Sequence, residues 1–419
     1  MTEVDPGSPI NKILAPTSQQ DRIHSLDLLR GCALLGILVV NIQGVAMISA
    51  AYQNPTAYGS LEGGNYWVWW IMHMFFEMKM MSIFSMLFGA GIALVAESAE
   101  RRQRSGTGLH YRRMVWLFAI GMAHAYLIWY GDILVCYAIC GMVLYWMRNR
   151  KPLTLAIVGL CLFAIPSALN ASFAVGFQYM STEEIATLNA DWQPTATLIQ
   201  EELNAYRGSW LQQMPHRAET AFMVQTFVNL ILFFWRAGGL MLFGMALYKT
   251  GFLQARKSIV FYLSTAVVGG IVGWYLVLLS VARNEAANWE VTYGLSTGSQ
   301  FNYWGSLCVA MAYLSIIVLW FRSGIASWLQ RSIQAVGQMA LTNYLMQSVL
   351  MTLIFWGHGL GLAGKLERVE QLMIVIAIWI FQLVLSPIWL RYFRFGPCEW
   401  MWRNLSYWRI QPLWRSTRV

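Results

Sequence analysis

Charge is what this 419-residue chain has least of. Asp, Glu, Lys and Arg together make up 12% of it, against 57% hydrophobic residues, and the mean hydropathy is +0.47. That shortage excludes an ordinary soluble globule, in which about a quarter of residues are charged. Cysteine is sparse as well, six in all. Cys32, Cys136, Cys140, Cys161 and Cys308 lie in apolar runs and Cys398 near the end; Cys136 and Cys140, four residues apart, read as packing on one helix face. No Cys/His spacing resembles a metal site, so no metal is expected. Phosphate-binding glycine loops, nucleophile elbows, heptads and internal repeats are also missing. The polar opening MTEVDPGSPINKILAPTSQQDR shows no cleavable signal pattern.

What the chain does have is a succession of apolar runs close to the twenty or so residues that cross a bilayer. Ten spans are expected, roughly at 28–50, 66–97 with a break near Lys79, 114–130, 132–147, 152–178, 222–248, 258–281, 303–321, 333–357 and 370–390. The predicted fold class is therefore all-α: a polytopic membrane protein with about ten transmembrane helices and both termini cytoplasmic. The formal charge of +9 fits that topology. With the N-terminus inside, the basic clusters fall on the cytoplasmic side: Arg101, Arg102, Arg104, Arg112 and Arg113, then Arg148, Arg150 and Lys151, then Lys249, Arg256 and Lys257, then the tail from Arg391 to Arg418. The acidic stretch 179–221 falls outside, so the positive balance reports orientation and no nucleic acid is expected. The chain divides into a cytoplasmic tail 1–24, a first membrane half 25–178 and a periplasmic acidic loop 179–221, which could fold as a cap. A second membrane half 222–390 and an interfacial cytoplasmic tail 391–419 complete it.

The polar residues inside these runs are the candidates for chemistry, because lipid tolerates them only where they face protein or water. In SLDLLRGCALLGILVVN (25–41), Ser25 suits a helix cap and Asp27 and Arg30 pair at i,i+3. Arg30 and Asn41 lie three turns apart, about 16 Å along one face. His73, Glu77 and Lys79 recur at helical spacing in the second run, and Lys79 sits at the expected elbow. The third and fourth runs form a hairpin about Tyr130-Gly131-Asp132. Asp132 is expected near the outer rim, with His124 about 12 Å deeper. Either residue has a structural alternative: a helix cap for Asp132, an interhelical hydrogen bond for His124. Arg236 lies within the sixth run and requires an acidic or carbonyl partner. In the ninth, GQMALTNYLMQS places Thr342, Asn343, Tyr344, Gln347 and Ser348 on adjoining stripes, expected to wall a cavity rather than serve only as interhelical glue.

SLDLLRGCALLGILVVNI, KMMSIFSMLFGAGI, HAYLIWYGDIL, GQMALTNYLMQS and IWLRYFRFGPCEWMWR, in that order along residues 22–410, together resemble the YeiB family of bacterial inner-membrane proteins. That family looks related to transmembrane acyltransferases such as heparan-glucosaminide acetyltransferase and the enzymes that acylate envelope polysaccharides. The resemblance implies a multi-pass protein of the bacterial inner membrane, with acyl-CoA (acetyl-CoA) as co-substrate and no tightly bound cofactor. It implies a periplasmic or lipid-linked acceptor hydroxyl or amine, and a homodimer is a possible assembly. Arg30 matches the arginine opening the first helix of that wider group. Asn41 stands where the polysaccharide enzymes have histidine and the heparan enzyme has asparagine. Tyr344 and Leu345 match a Tyr-Leu-x-His pattern in which Gln347 replaces the histidine. If an imidazole base is required, His124 is best placed to supply it, with Asp132 beside it and Asn41 to steady the oxyanion. Arg30, Arg112 and Arg113 would meet the CoA phosphates, Asn343, Tyr344 and Gln347 would flank the pantetheine arm, and Lys79 and Arg236 would lie on the acceptor side. A proton-coupled transporter of a small amphipathic metabolite is the alternative. Against it stands the lack of a duplicated half or paired broken helices.

Overall fold

The computed structural model describes residues 23–101 and 106–415. Arg102, Arg104, Arg418 and nearly all of the 1–24 tail lie outside the described residues. Among those described, the chain is helical apart from loops and one isolated bridge between Phe393 and Trp414. The principal helices are α1 His24–Asn41, α2 Gly63–Phe75, α3 Lys79–Arg101, α4 Thr107–Leu127, α5 Leu134–Leu144 and α6 Pro152–Gly176. They continue with α7 Thr182–Trp192, α8 Ala196–Arg207, α9 Trp210–Met223, α10 Phe234–Lys249, α11 Ile259–Ala286 and α12 Ser299–Ser323. The last four are α13 Ser327–Gln338, α14 Ala340–Phe355, α15 Arg368–Tyr392 and α16 Pro397–Tyr407. A π-helical stretch, Val224–Phe233, joins α9 to α10.

Among the described residues seven stretches are long and apolar enough to cross a bilayer, and Leu134–Asn149 and Ala340–Phe355 are shorter apolar helices. The protein is an all-α, multi-pass membrane protein. Burial sorts the helices into an inner and an outer set. The apolar window of α1 is 72% buried, whereas those of α6 and α15 are 22% buried and that of α11 28%. α1 is thus the central post, and α6, α11 and α15 leave most of their surface on the outside of the bundle.

The second run breaks where the sequence placed the elbow. Met78 takes φ 62° between α2 and α3, a left-handed conformation uncommon for a side chain of its size. The expected single span 333–357 is corrected: it divides at Met339 into α13 and α14. α13 lies so close to α1 that a Cβ on Gly337 would sit 1.9 Å from the Asp27 carbonyl oxygen. α14 begins anew at Ala340, and its first amides are met from outside the helix. Glu399 of α16 accepts from Leu341 N at 2.6 Å and Thr342 N at 3.2 Å, and the Thr342 hydroxyl donates to its other oxygen at 2.6 Å. A carboxylate from a distant helix therefore does the work of an N-cap.

Without water to drive helices together, association in lipid depends on close van der Waals approach over small residues. The α3/α10 crossing shows this: a Cβ on Gly244 would lie 1.8 Å from the Met86 carbonyl oxygen, and one on Gly89 2.0 Å from that of Met241. Gly244→Val is expected to cost about 3 kcal/mol by forcing these backbones apart. An unchanged thermal midpoint of the detergent-purified variant would contradict that crossing.

The acidic segment builds α7, α8 and α9 across the loops at one end of the bundle. Its first helix opens with a capping box in which Glu184 accepts from the Ser181 amide at 2.7 Å. These bonds hold the Glu184 carboxyl below its usual range. Trp192 donates to Trp289 O, Arg207 to Ala363 O, and Trp210 to Leu127 O. Arg217, fully buried, lies 4.9 Å above the Trp356 ring and donates to Tyr126 O. The segment is thus stitched directly onto the α4–α5 hairpin.

Candidate functional site

α4 ends at Leu127 because the chain turns through residues 128–133, and that turn sets the key contact. His124 and Asp132 were expected 12 Å apart in depth; instead His124 Nδ1 and Asp132 Oδ1 are 2.8 Å apart. The tip folds back over the last turn of α4, so a residue eight positions on returns to the level of the imidazole. Asp132 also caps α5, its Oδ2 accepting from Val135 N at 2.8 Å. Both readings of Asp132 thus hold at once. A carboxylate oxygen can only accept, so Nδ1 carries a proton, and in the neutral imidazole the lone pair is then on Nε2. Nε2 is buried and, among the described residues, has no hydrogen-bond partner. The rings of Tyr344 and Trp129 frame the imidazole, with centroids at 5.2 Å and 6.4 Å. The Tyr344 hydroxyl donates a long hydrogen bond to Gly131 O, at 3.4 Å. Both dyad residues are almost wholly enclosed.

The rest of the α14 polar stripe is spent differently. Asn343 donates to Val336 O at 3.1 Å and to Ser386 Oγ at 3.1 Å. Gln347 donates to the Gln382 side chain at 2.9 Å, and Gln382 donates in turn to Asn343 O at 3.0 Å. Asn343 and Gln347 are therefore buried glue between α14 and α15, which corrects the expected cavity wall; their partners Ser386 and Gln382 carry no mark in the sequence spacing. Of the stripe's three candidate residues, Tyr344 alone contacts the dyad.

A second polar cluster surrounds the Met78 break. Lys79, fully buried, donates to His73 O at 2.5 Å and to Asn302 Oδ1 at 2.7 Å. It points inward and does not snorkel. Glu77 pairs with His73 Nδ1 at 2.6 Å. Arg236 donates through Nη2 to Ser306 Oγ at 2.9 Å and Ser82 Oγ at 3.1 Å, and reaches the Met78 carbonyl at 3.4 Å. Its carbon lies 4.5 Å from the Tyr303 ring centroid. The two clusters adjoin: Ser85, one turn beyond Ser82, bonds Tyr137 at 2.7 Å on α5, the helix that Asp132 caps.

Toward the other end of the bundle, Arg30 pairs with Asp27 at 3.3 Å, as its spacing predicted. Arg112 and Arg113 stack on Trp408 and Trp402, at 4.8 Å and 4.6 Å. Trp402 also donates to Arg113 O, so α16 is docked on α4, while Trp408 and Trp414 stay exposed. Asn41 ends α1 half-buried. The expected gathering of Arg30, Asn41, His124 and Tyr344 is thus partial: His124 and Tyr344 meet, and neither Arg30 nor Asn41 is a hydrogen-bond partner of His124. Glu399 carried no mark in the sequence as a cap.

An enclosed histidine–carboxylate pair inside a bundle of apolar helices defines a multi-pass membrane protein with a buried polar centre. Residues 247–409 match the family described as "Protein of unknown function (DUF418)". The chain is 32% identical to the uncharacterized protein YxaH of Bacillus subtilis (strain 168), covering 97% of this chain and 99% of that one. It is 30% identical to the uncharacterized protein YeiB of Escherichia coli (strain K12), covering 92% and 96% respectively. The chain belongs to the YeiB family.

Proposed function

We propose that the protein is a transmembrane acyltransferase of the bacterial inner membrane. It would move an acyl group, acetyl in the simplest case, from cytoplasmic acyl-CoA to a hydroxyl or amine presented on the periplasmic side. The observation that carries this reading is the free, buried Nε2 of His124, whose other nitrogen is fixed by Asp132. That is the arrangement of an oriented general base. Nε2 accepts the proton of the acceptor as its oxygen or nitrogen attacks the thioester carbonyl. Collapse of the tetrahedral intermediate breaks the C–S bond, and the proton passes from Nε2 to the departing CoA thiolate. Asn41 is the proposed oxyanion donor. Tyr344, packed against the imidazole, is the proposed flank of the pantetheine arm, while Asn343 and Gln347 hold α14 to α15. Arg112 and Arg113 stack by their faces, which leaves in-plane N–H groups for CoA phosphates, with Arg30 as the third cation.

The test is purified protein with labelled acetyl-CoA. Protein-dependent loss of the thioester that falls to background in His124→Ala supports the reading; equal loss in the variant removes His124 from it. The second reading draws on the same dyad as a proton relay. Proton-coupled uptake into vesicles without thioester loss would favour a transporter.

A further inference from the structure

We propose that Arg236 and Lys79 form a binding site, inside the membrane bundle, for one anionic group of a ligand, a carboxylate or a phosphate. The argument is an inventory of charge and hydrogen bonds. Around the Met78 break the described residues include two basic side chains, Lys79 and Arg236, and one carboxylate, Glu77. Glu77 is bonded to neither cation: one oxygen meets His73 Nδ1 at 2.6 Å and the other lies 3.4 Å from Asn302 Nδ2. Lys79 has three N–H groups and meets two neutral acceptors, the His73 carbonyl and the Asn302 amide oxygen. Arg236 donates through Nη2 and lies against the Tyr303 side chain. Among the described residues its Nε and Nη1 are buried with no acceptor in hydrogen-bond geometry, and His73 Nε2 is buried without a partner. Arg236 is 4% exposed and Lys79 is not exposed at all.

Neutral hydroxyls and carbonyls do not balance a second buried cation in a medium of low dielectric. Such groups are retained where a counter-charge joins them. The rings of Tyr303 and Phe163, at 4.5 Å and 5.3 Å, cover the guanidinium and supply part of that balance through their faces. They do not satisfy its in-plane N–H groups, which are the groups that recognise an oxyanion. The ligand class follows: a single anionic group, with the uncharged Ser82, Ser306 and Asn302 completing the shell. Headgroups of bilayer amphiphiles and free anions from either aqueous phase share this chemistry. The assignment does not depend on acyl transfer at His124.

The experiment compares the intact detergent-purified protein with Arg236→Gln and Lys79→Met. Three probes are used: dihexanoyl phosphatidic acid, inorganic phosphate and, as the uncharged control, dihexanoyl glycerol. Binding is read as a saturable rise in thermal midpoint and as mass adducts in native mass spectrometry. The expected result is a rise of several degrees with an anionic probe, none with the neutral one, and at least tenfold weaker binding in each variant. A response to phosphatidic acid alone identifies an amphiphile headgroup, and a response to inorganic phosphate identifies a free anion; both support the site. No response to either anion, or the same response in both variants as in the wild type, overturns it. If Arg236→Gln is not recovered folded, Lys79→Met decides.

Discussion

Replacing Asp132 by asparagine is expected to slow acyl transfer about 10⁴-fold while the hairpin keeps its shape, the scale seen when an orienting aspartate is lost from a histidine-based site. The reason lies in the tautomer. Asp132 accepts from Nδ1, which in the neutral imidazole puts the lone pair on Nε2. An asparagine at this position can still accept from Val135 N, so the cap on α5 survives. Its amide then offers a donor to Nδ1, the imidazole carries its proton on Nε2, and the base is blocked. Thioester loss from labelled acetyl-CoA, with thermal stability measured on the same sample, checks this. A variant within threefold of wild type at unchanged stability would show that Asp132 only caps a helix.

Glu399→Ala is expected to cost about 4 kcal/mol, because it strands two backbone amides and a hydroxyl at a partly buried helix start. Glu399→Gln should cost about 1 kcal/mol, since its oxygen still accepts from Leu341 N and Thr342 N while its amide donates to the Thr342 hydroxyl. Thermal midpoints of the two variants check the ranking, and equal losses would contradict it. The two also differ in pH response. Burial, outweighing the bonds to Thr342 and Leu341, lifts the Glu399 carboxyl above its ordinary range. Below that range folded and unfolded chains are both protonated there. As pH rises, the unfolded chain loses its proton first, so this group's contribution to stability falls until the folded carboxyl has also ionised. The Gln variant lacks that component.

The sequence made the membrane class plain, because spans differ from loops in charge by more than any local exception can hide. The α4–α5 hairpin was legible too, from the single Tyr130-Gly131-Asp132 turn signal between two apolar arms. What helical spacing could not supply was the geometry of the turn, so a pair drawn as separated in depth is in contact. Nor could periodicity decide between glue and cavity for Asn343 and Gln347. That depended on Gln382 and Ser386 about forty positions on, and helix faces are readable one at a time while pairings are not. Lys79 was ambiguous for a related reason: a lysine at a helix break can extend to the interface or turn inward, and the choice rests on Asn302 in a distant helix. The cap from Glu399 left one trace, the lack of a Ser, Thr, Asn or Asp just ahead of Ala340. A helix start without its own cap has to borrow one.

Borrowing has an order in time. Since the carboxylate that seats α14 lies about sixty residues downstream, α14 enters the bilayer during synthesis with its leading amides unmet. It settles only after α15 has crossed and α16 has returned to it. Completion of the buried centre, where Tyr344 stands over His124, is therefore tied to completion of the polypeptide. A translation product arrested before residue 399 would hold every apolar stretch and still lack the carboxylate that seats α14.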